Sequence, residues 1–246
     1  MFLINPYIFW NSTFHTKAIE FDWTTETLAN TTSQAIWVAN AHSWVLWLKA
    51  SSTTQGYPMV IRNYNTDINN IIQIVWSSSK FEVWLYNSAW TNIKKYITSS
   101  SYSTNTIYAV GYSRDGTTLT VYVNGASVSI TKPADLSWTQ TDSNRRIWIW
   151  SNVWVNNWFN GIVSKFDLWD TTLPANAFSA LYDSWNGYKN DTRNALWNYT
   201  QTTNLKHQWA LGKDIWSNIW YDYVASGQIN ISNNSVNITD ADIVTF

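Results

Sequence analysis

Residues 117–124, TTLTVYVN, set Leu119, Val121 and Val123 on one side of the chain and Thr118, Thr120 and Tyr122 on the other. A period of two belongs to an extended strand with one face buried; a helix would repeat near 3.6. Asp115-Gly116 and Asn124-Gly125 bracket the run, and such dipeptides close tight hairpins because those turns need left-handed backbone. Residues 106–130 are therefore expected to form three consecutive antiparallel strands. Parallel strands would need crossovers of a dozen residues or more.

The same signals recur at short spacing. Strands are expected at 17–22, 44–50, 58–62, 80–86, 92–98, 145–150 and 161–169, and LKHQWALG (205–212) adds one more. In KFEVWLY (80–86), Phe81, Val83 and Leu85 alternate with Glu82, Trp84 and Tyr86. The tail from Gly227, with Ile229, Ile231, Val236 and Ile238, alternates again and is expected to pair with an N-terminal strand. One short helix is expected near 174–183, opened by Thr172 and Pro174, with Phe178, Leu181 and Tyr182 at helical spacing. Many short strands separated by turns predict an all-β sandwich of two antiparallel sheets. Neither a linker nor an internal repeat interrupts the chain. The simplest organisation is one domain over 1–246, with a core at 17–185 and a C-terminal strand extension at 186–246 packing on it.

Composition removes several function classes. The net charge is -1 with 13% charged residues, so no basic surface exists to neutralise phosphates, and nucleic acid is not an expected partner. Cysteine is absent, which excludes disulfides and thiolate metal sites. No stretch approaches the roughly 18–20 apolar residues that a membrane span needs. The opening MFLINPYIFW lacks a basic region followed by a long apolar run, so no secretory signal is expected. Work outside a cell would then require another route, such as release inside a virion.

Tryptophan usage is abnormal. There are 19 Trp against 8 Gly, where glycine usage averages about 7%. Trp23, Trp90, Trp138, Trp185 and Trp220 stand where turn chemistry asks for glycine, which tolerates positive φ without a Cβ clash. One reading is that UGA codons meaning glycine in the source are translated here as Trp. The suspects are Trp10, Trp23, Trp76, Trp90, Trp138, Trp148, Trp150, Trp154, Trp158, Trp185, Trp197, Trp216 and Trp220. Trp47, Trp84, Trp169 and Trp209 read as authentic, each inside an apolar or alternating run; Trp37 and Trp44 fit either group. The other reading is a truly Trp-rich surface that stacks against sugars or partners, with 148–158 as one patch.

These residues carry a family likeness. YAVGYSRDGTTLTVYVNG (108–125) resembles the central hairpin of concanavalin A-like, laminin-G-like domains. RRIWIWSNVWVNNWFNGIVSKFDLWDTTLPANAFSALYDS (145–184) is similar to the family's later run, through Phe159, Gly161, Ile162, Phe166, Trp169, Leu173, Leu181 and Tyr182. AIEFDWTTETL (18–28) and SWVLWLKA (43–50) resemble two earlier strands of the same family. Departures fall at Trp23, Trp148 and Trp150, which are glycine positions in the family pattern. The resemblance covers about residues 17–185 and implies a concanavalin A-like jelly roll. Leu3-Ile4-Asn5-Pro6-Tyr7 before such a domain is similar to phage structural proteins carrying a lectin-like module. That implies a virion or tail-fibre location, other virion proteins as partners, and a homo-oligomer by analogy; an extracellular adhesion domain is the alternative.

The likeness frames the chemistry. Hydrolases of this superfamily set two Glu and an Asp on one strand face. Glu20 and Asp22 share a face, but Glu26 lies past an expected turn and Glu82 stands alone, so no enzyme is expected. His15, His42 and His207 lack paired zinc spacing and read as surface or satisfied core groups. The resemblance also raises Ca²⁺, for which Asp22, Asp115 and Asp170 are available, although each suits a turn or cap equally well. A glycan site needs an aromatic face beside amide and carboxylate groups. Trp84, Tyr86, Tyr112 and Tyr122, opposite the apolar faces of their strands, either line one sheet for a host-surface polysaccharide or pack beneath a second layer.

Overall fold

The computed structural model describes residues 15–21, 28–30, 34–35, 41–63, 70–86, 93–131, 144–149, 159–211, 219–220, 223–224, 231–233 and 240–246. Among them, two antiparallel sheets face each other. Sheet A contains β1 (Lys17–Phe21), β4 (His42–Ala50), β9 (Ile107–Asp115), β10 (Thr118–Val123), β11 (Ala126–Ser127), β14 (Gly161–Trp169), β15 (Leu205–Ala210) and β18 (Ile243–Thr245). Its order is β11-β10-β9-β4-β14-β1-β18, with β15 also on β14. Sheet B contains β2 (Leu28–Asn30), β3 (Gln34–Ala35), β5 (Gly56–Asn63), β6 (Asn70–Ser77), β7 (Lys80–Tyr86), β8 (Ile93–Thr98), β12 (Ile130–Thr131), β13 (Asn144–Ile149), β16 (Ile219–Trp220) and β17 (Ile231–Asn233). It runs β12-β8-β7-β6-β5-β13-β2-β17-β16, with β3 on β13.

The hairpin read from sequence forms as expected. β9 pairs β10 from Thr118↔Asp115 to Val123↔Val110, and Asn124 and Gly125 close the next turn at φ 52° and 77°. The C-terminal tail returns to the N-terminal strands: β17 pairs β2 and β18 pairs β1. One long central strand, β6, was not expected. Its run NIIQIVWS does not alternate, because both of its faces are buried: Ile72, Ile74 and Trp76 toward sheet A, Gln73 and Val75 away from it.

Strand β14 organises sheet A. One edge pairs β4 along its whole length, while the other is shared: β1 takes Gly161–Val163 and β15 takes Lys165–Trp169. The switch falls at Ser164, where the β4 register shifts. The Ser164 carbonyl accepts from Leu211 N–H at 2.7 Å, and its hydroxyl donates to Lys17 O at 2.8 Å. Gly161 is required here. It sits at φ +152°, and a Cβ would strike the Lys49 carbonyl and come within 2.9 Å of Ala50 Cα.

The main core lies between the sheets, with Leu46, Leu48, Ile61, Ile74, Val83, Val110, Val121, Phe166 and Trp209 among its residues. A second apolar layer covers the outer face of sheet A. Here α1 (Ala175–Tyr182) sets Ala177, Phe178 and Leu181 on Val45, Trp47, Ala109 and Tyr122. Thr172 does not cap α1; its hydroxyl donates to Arg114 O at 2.8 Å, and Pro174 occupies the N-cap without a side-chain bond. The middle of sheet A is therefore buried on both faces, and the burial of β14 at every residue records this.

Candidate functional site

Sheet B differs. Strand β7 buries Phe81, Val83 and Leu85 and leaves Glu82, Trp84 and Tyr86 half-buried, in strict alternation. Antiparallel register brings one row across four strands: Val60 of β5 opposite Gln73 of β6, Gln73 opposite Trp84, and Trp84 opposite Lys95 of β8. The adjacent row is Val75, Glu82 and Ile97. Residues directly opposite in a sheet share a face, so this outer face carries aromatic, amide, carboxylate and ammonium groups together.

The contacts within it are directional. Trp84 Nε1 donates to Glu82 Oε2 at 2.6 Å, which fixes the indole over the strand. Tyr57 meets Trp84 edge-on with centroids 6.0 Å apart, and Gln55 Nε2 donates to the Tyr57 hydroxyl at 3.0 Å. The exposed Lys95 sets its ammonium 3.7 Å from the Trp84 ring centre, a cation–π contact that gives about 0.5–1 kcal/mol at an exposed site. Tyr86 donates its hydroxyl proton to Gln73 Oε1 at 3.0 Å. Gln73 is wholly buried, yet its Nε2 has no hydrogen-bond partner. An unsatisfied buried donor costs about 1–3 kcal/mol, so the floor of this face holds an unused donor directly beside the two half-exposed rings.

Sequence reasoning grouped four aromatic residues, and the structure divides them. Trp84 and Tyr86 share the outer face of sheet B. Tyr112 does not join them: it lies in the inter-sheet core, edge-on to Trp44 at 4.7 Å and bonded to His42, and burial pushes its hydroxyl well above the usual tyrosine range. Tyr122 is on the outer face of sheet A, stacked on Phe178 at 3.8 Å beneath α1. Both are drawn in because sheet A has a layer on each side. Tyr57, Gln73 and Lys95 were not anticipated. The usable signal was Gln73 itself, a single amide inside the apolar run IIQIV.

The other candidates are accounted for locally. His15, His42 and His207 are buried; His15 bonds the Ser164 carbonyl at 3.2 Å, and His207 stacks on Trp209. Glu20 is exposed on β1, while Asp22 and Glu26 lie outside the described residues. Asp170 binds Lys206 at 2.9 Å and accepts from Asn204 at 3.0 Å, and Asp115 is exposed at its turn. Among the described residues no group of three or more His, Cys, Asp or Glu is arranged to hold a metal.

The tryptophans separate by environment. Trp44, Trp47, Trp169 and Trp209 are fully buried. So is Trp76, a suspect: it packs on Phe81 at 4.9 Å and donates to Ser52 O at 2.6 Å, as a core Trp would. Trp185 instead sits at φ +80° and is 47% exposed, and Trp197 is 94% exposed at the tip of the Leu196–Tyr199 turn. Trp148 lies in β13 opposite Val60, and Trp220 in β16. Trp10, Trp23, Trp37, Trp90, Trp138, Trp150, Trp154, Trp158 and Trp216 lie outside the described residues, as does most of the patch at 148–158.

Two facing antiparallel sheets, a short helix over one and a half-exposed aromatic face on the other define a lectin-type jelly-roll sandwich. The chain belongs to the laminin-G-type branch (Laminin_G_3) of the concanavalin A-like lectin/glucanases superfamily, whose pattern matches residues 24–177. The fold is similar to a heptameric SAP-like pentraxin from Limulus polyphemus, with TM-score 0.55, 14% identity, and coverage of 69% of this chain and 82% of that one. It is also similar to a Bacteroides ovatus protein ascribed to carbohydrate binding (TM-score 0.62, 16% identity), covering 94% of this chain and 60% of that one. A third likeness is to the Ruminococcus gnavus IT-sialidase CBM40 bound to α2,3-sialyllactose (TM-score 0.54, 10% identity; 67% and 96% covered). No curated protein matches the sequence.

Proposed function

We propose that the chain is a non-catalytic carbohydrate-binding module that holds a glycan on the outer face of sheet B. The observation that carries this reading is the unbonded Gln73 amide beside the half-exposed Trp84 and Tyr86. Sugars offer C–H faces to aromatic rings and hydroxyl oxygens to amide donors. Lys95 is the exposed group that gives way, leaving the indole face for the sugar. The fold hosts binders and hydrolases alike, so binding rests on this face, and the structural likenesses contribute only the scaffold. Glu82 is held by Trp84 Nε1, an orienting role with no second carboxylate described beside it.

A glycan array followed by titration calorimetry tests the reading. The wild type is expected to bind at least one polysaccharide class without releasing product. Trp84→Ala is expected to weaken it about five- to tenfold, since stacking on one ring supplies on the order of 1–1.4 kcal/mol. Full binding by Trp84→Ala, or product release, would count against it. The place of action we propose is a virion, with a host-surface polysaccharide as ligand and other virion proteins and copies of the chain as partners. The support is the similarity of Leu3–Tyr7 to phage structural proteins, and mass spectrometry of purified particles is the check.

A further inference from the structure

The outer face of sheet A holds a charged pair that the proposed glycan site does not use. Lys165 Nζ and Asp167 Oδ2 lie 3.1 Å apart, with side chains 1% and 2% exposed. They stand on β14 and are roofed by residues 186–204, a run of short turns between α1 and β15. The roof is tied down over the pair. Lys165 Nζ donates to Asn190 O at 2.6 Å, Tyr199 donates to Thr192 O at 2.7 Å, and Trp169 Nε1 donates to the Tyr199 hydroxyl at 2.9 Å. Asp167 Oδ1, by contrast, lacks a hydrogen bond of good geometry. A buried carboxylate with one oxygen unsolvated gains by taking up a proton, and the gain disappears once the roof lifts and water reaches it.

We infer that residues 186–204 form a strap whose closure over sheet A is linked to proton uptake at the Lys165–Asp167 pair, so that it closes more firmly in acid than at neutral pH. Burial, opposed by Lys165, pushes Asp167 up to about 6. The closed strap therefore holds a proton between pH 4 and 6 that the open strap would not. Other charged and titratable groups surround the pair. On the strap, burial pushes Asp191 up, but Arg193 outweighs it and holds it low, and Asp191 in turn keeps Arg193 high. Burial keeps Tyr199 neutral. From β15, Gln208 stands opposite Asp167 and Lys206 pairs with Asp170. From β4, Val45 and Trp47 face the pair without charge. His15 meets the Ser164 carbonyl next to Lys165, and Asp183 binds the Asn190 amide at 3.0 Å. Opening the strap would expose Trp47, Trp169 and Leu205 of the apolar layer.

Hydrogen exchange at pH 5 and pH 8, corrected for the intrinsic rate, tests the linkage on the full chain. Protection at 186–204 is expected to fall about tenfold on going to pH 8, because pH 5 lies one unit below the raised value of about 6 and each unit is worth tenfold in closure. Protection in β7 should stay level. Asp167→Asn should abolish the difference. Lys165→Met, which leaves the carboxylate without its cation, should move the fall to higher pH. Equal protection of the strap at both pH values in the wild type would overturn the inference, as would an undiminished pH response in a folded Asp167→Asn.

Discussion

Trp185 and Trp76 were grouped by sequence as residues standing in for glycine, and their surroundings pull them apart. Trp185 holds a left-handed φ of +80° with a bulky side chain half in water. A Cβ in that region costs roughly 1–2 kcal/mol, so Trp185→Gly should raise the midpoint of thermal unfolding. Trp76 fills the inter-sheet core and spends its indole N–H on Ser52. Trp76→Gly should cost at least the roughly 3–5 kcal/mol of a large core truncation. Scanning calorimetry of the two variants checks both signs. Codon recoding at Trp185 would follow from UGA in the gene together with a native peptide mass carrying glycine. The sequence could mark both as odd because composition is local, while burial is decided by which strands become neighbours.

At the scale of elements, alternation was informative where only one side of a strand is covered. β7 alternates in sequence and in burial because the outer face of sheet B stays half open. Strands β9 and β14 are buried on nearly every residue, so their patterns cannot say which side is the core. On β9 the pattern alone therefore left open whether Tyr112 lines a sheet face or packs beneath a layer, and for Tyr122 on β10 the covering helix decides it. β6 went unread for the same reason, and with it Gln73. The helix was legible from its spacing; what it covers was not. Phe178 stacks on Tyr122 at 3.8 Å and closes the outer layer of sheet A. Phe178→Ala should cost about 3–5 kcal/mol and make the Tyr122 ring accessible, readable by denaturant unfolding and tyrosine fluorescence.

For the whole molecule, the two sheets divide the work. The middle strands of sheet A, β9, β4 and β14, are enclosed on both faces and carry a buried ion pair; sheet B offers the half-open face. The ion pair should leave a mark on global stability. Because Asp167 is raised to about 6, its proton stabilises the native state fully below the unfolded value near 4. That contribution is lost as pH rises through about 6. The unfolding midpoint should accordingly be higher at pH 5 than at pH 7.5, with the Asp167 share of the difference absent in Asp167→Asn. Glycan binding on the outer face of sheet B is read by the Trp84 indole N–H resonance in a glycan titration of isotope-labelled protein. Stacking on the ring, with Lys95 displaced, should shift that signal in step with binding. A bound glycan that moves other tryptophan signals and leaves Trp84 unshifted would rule out the site on sheet B.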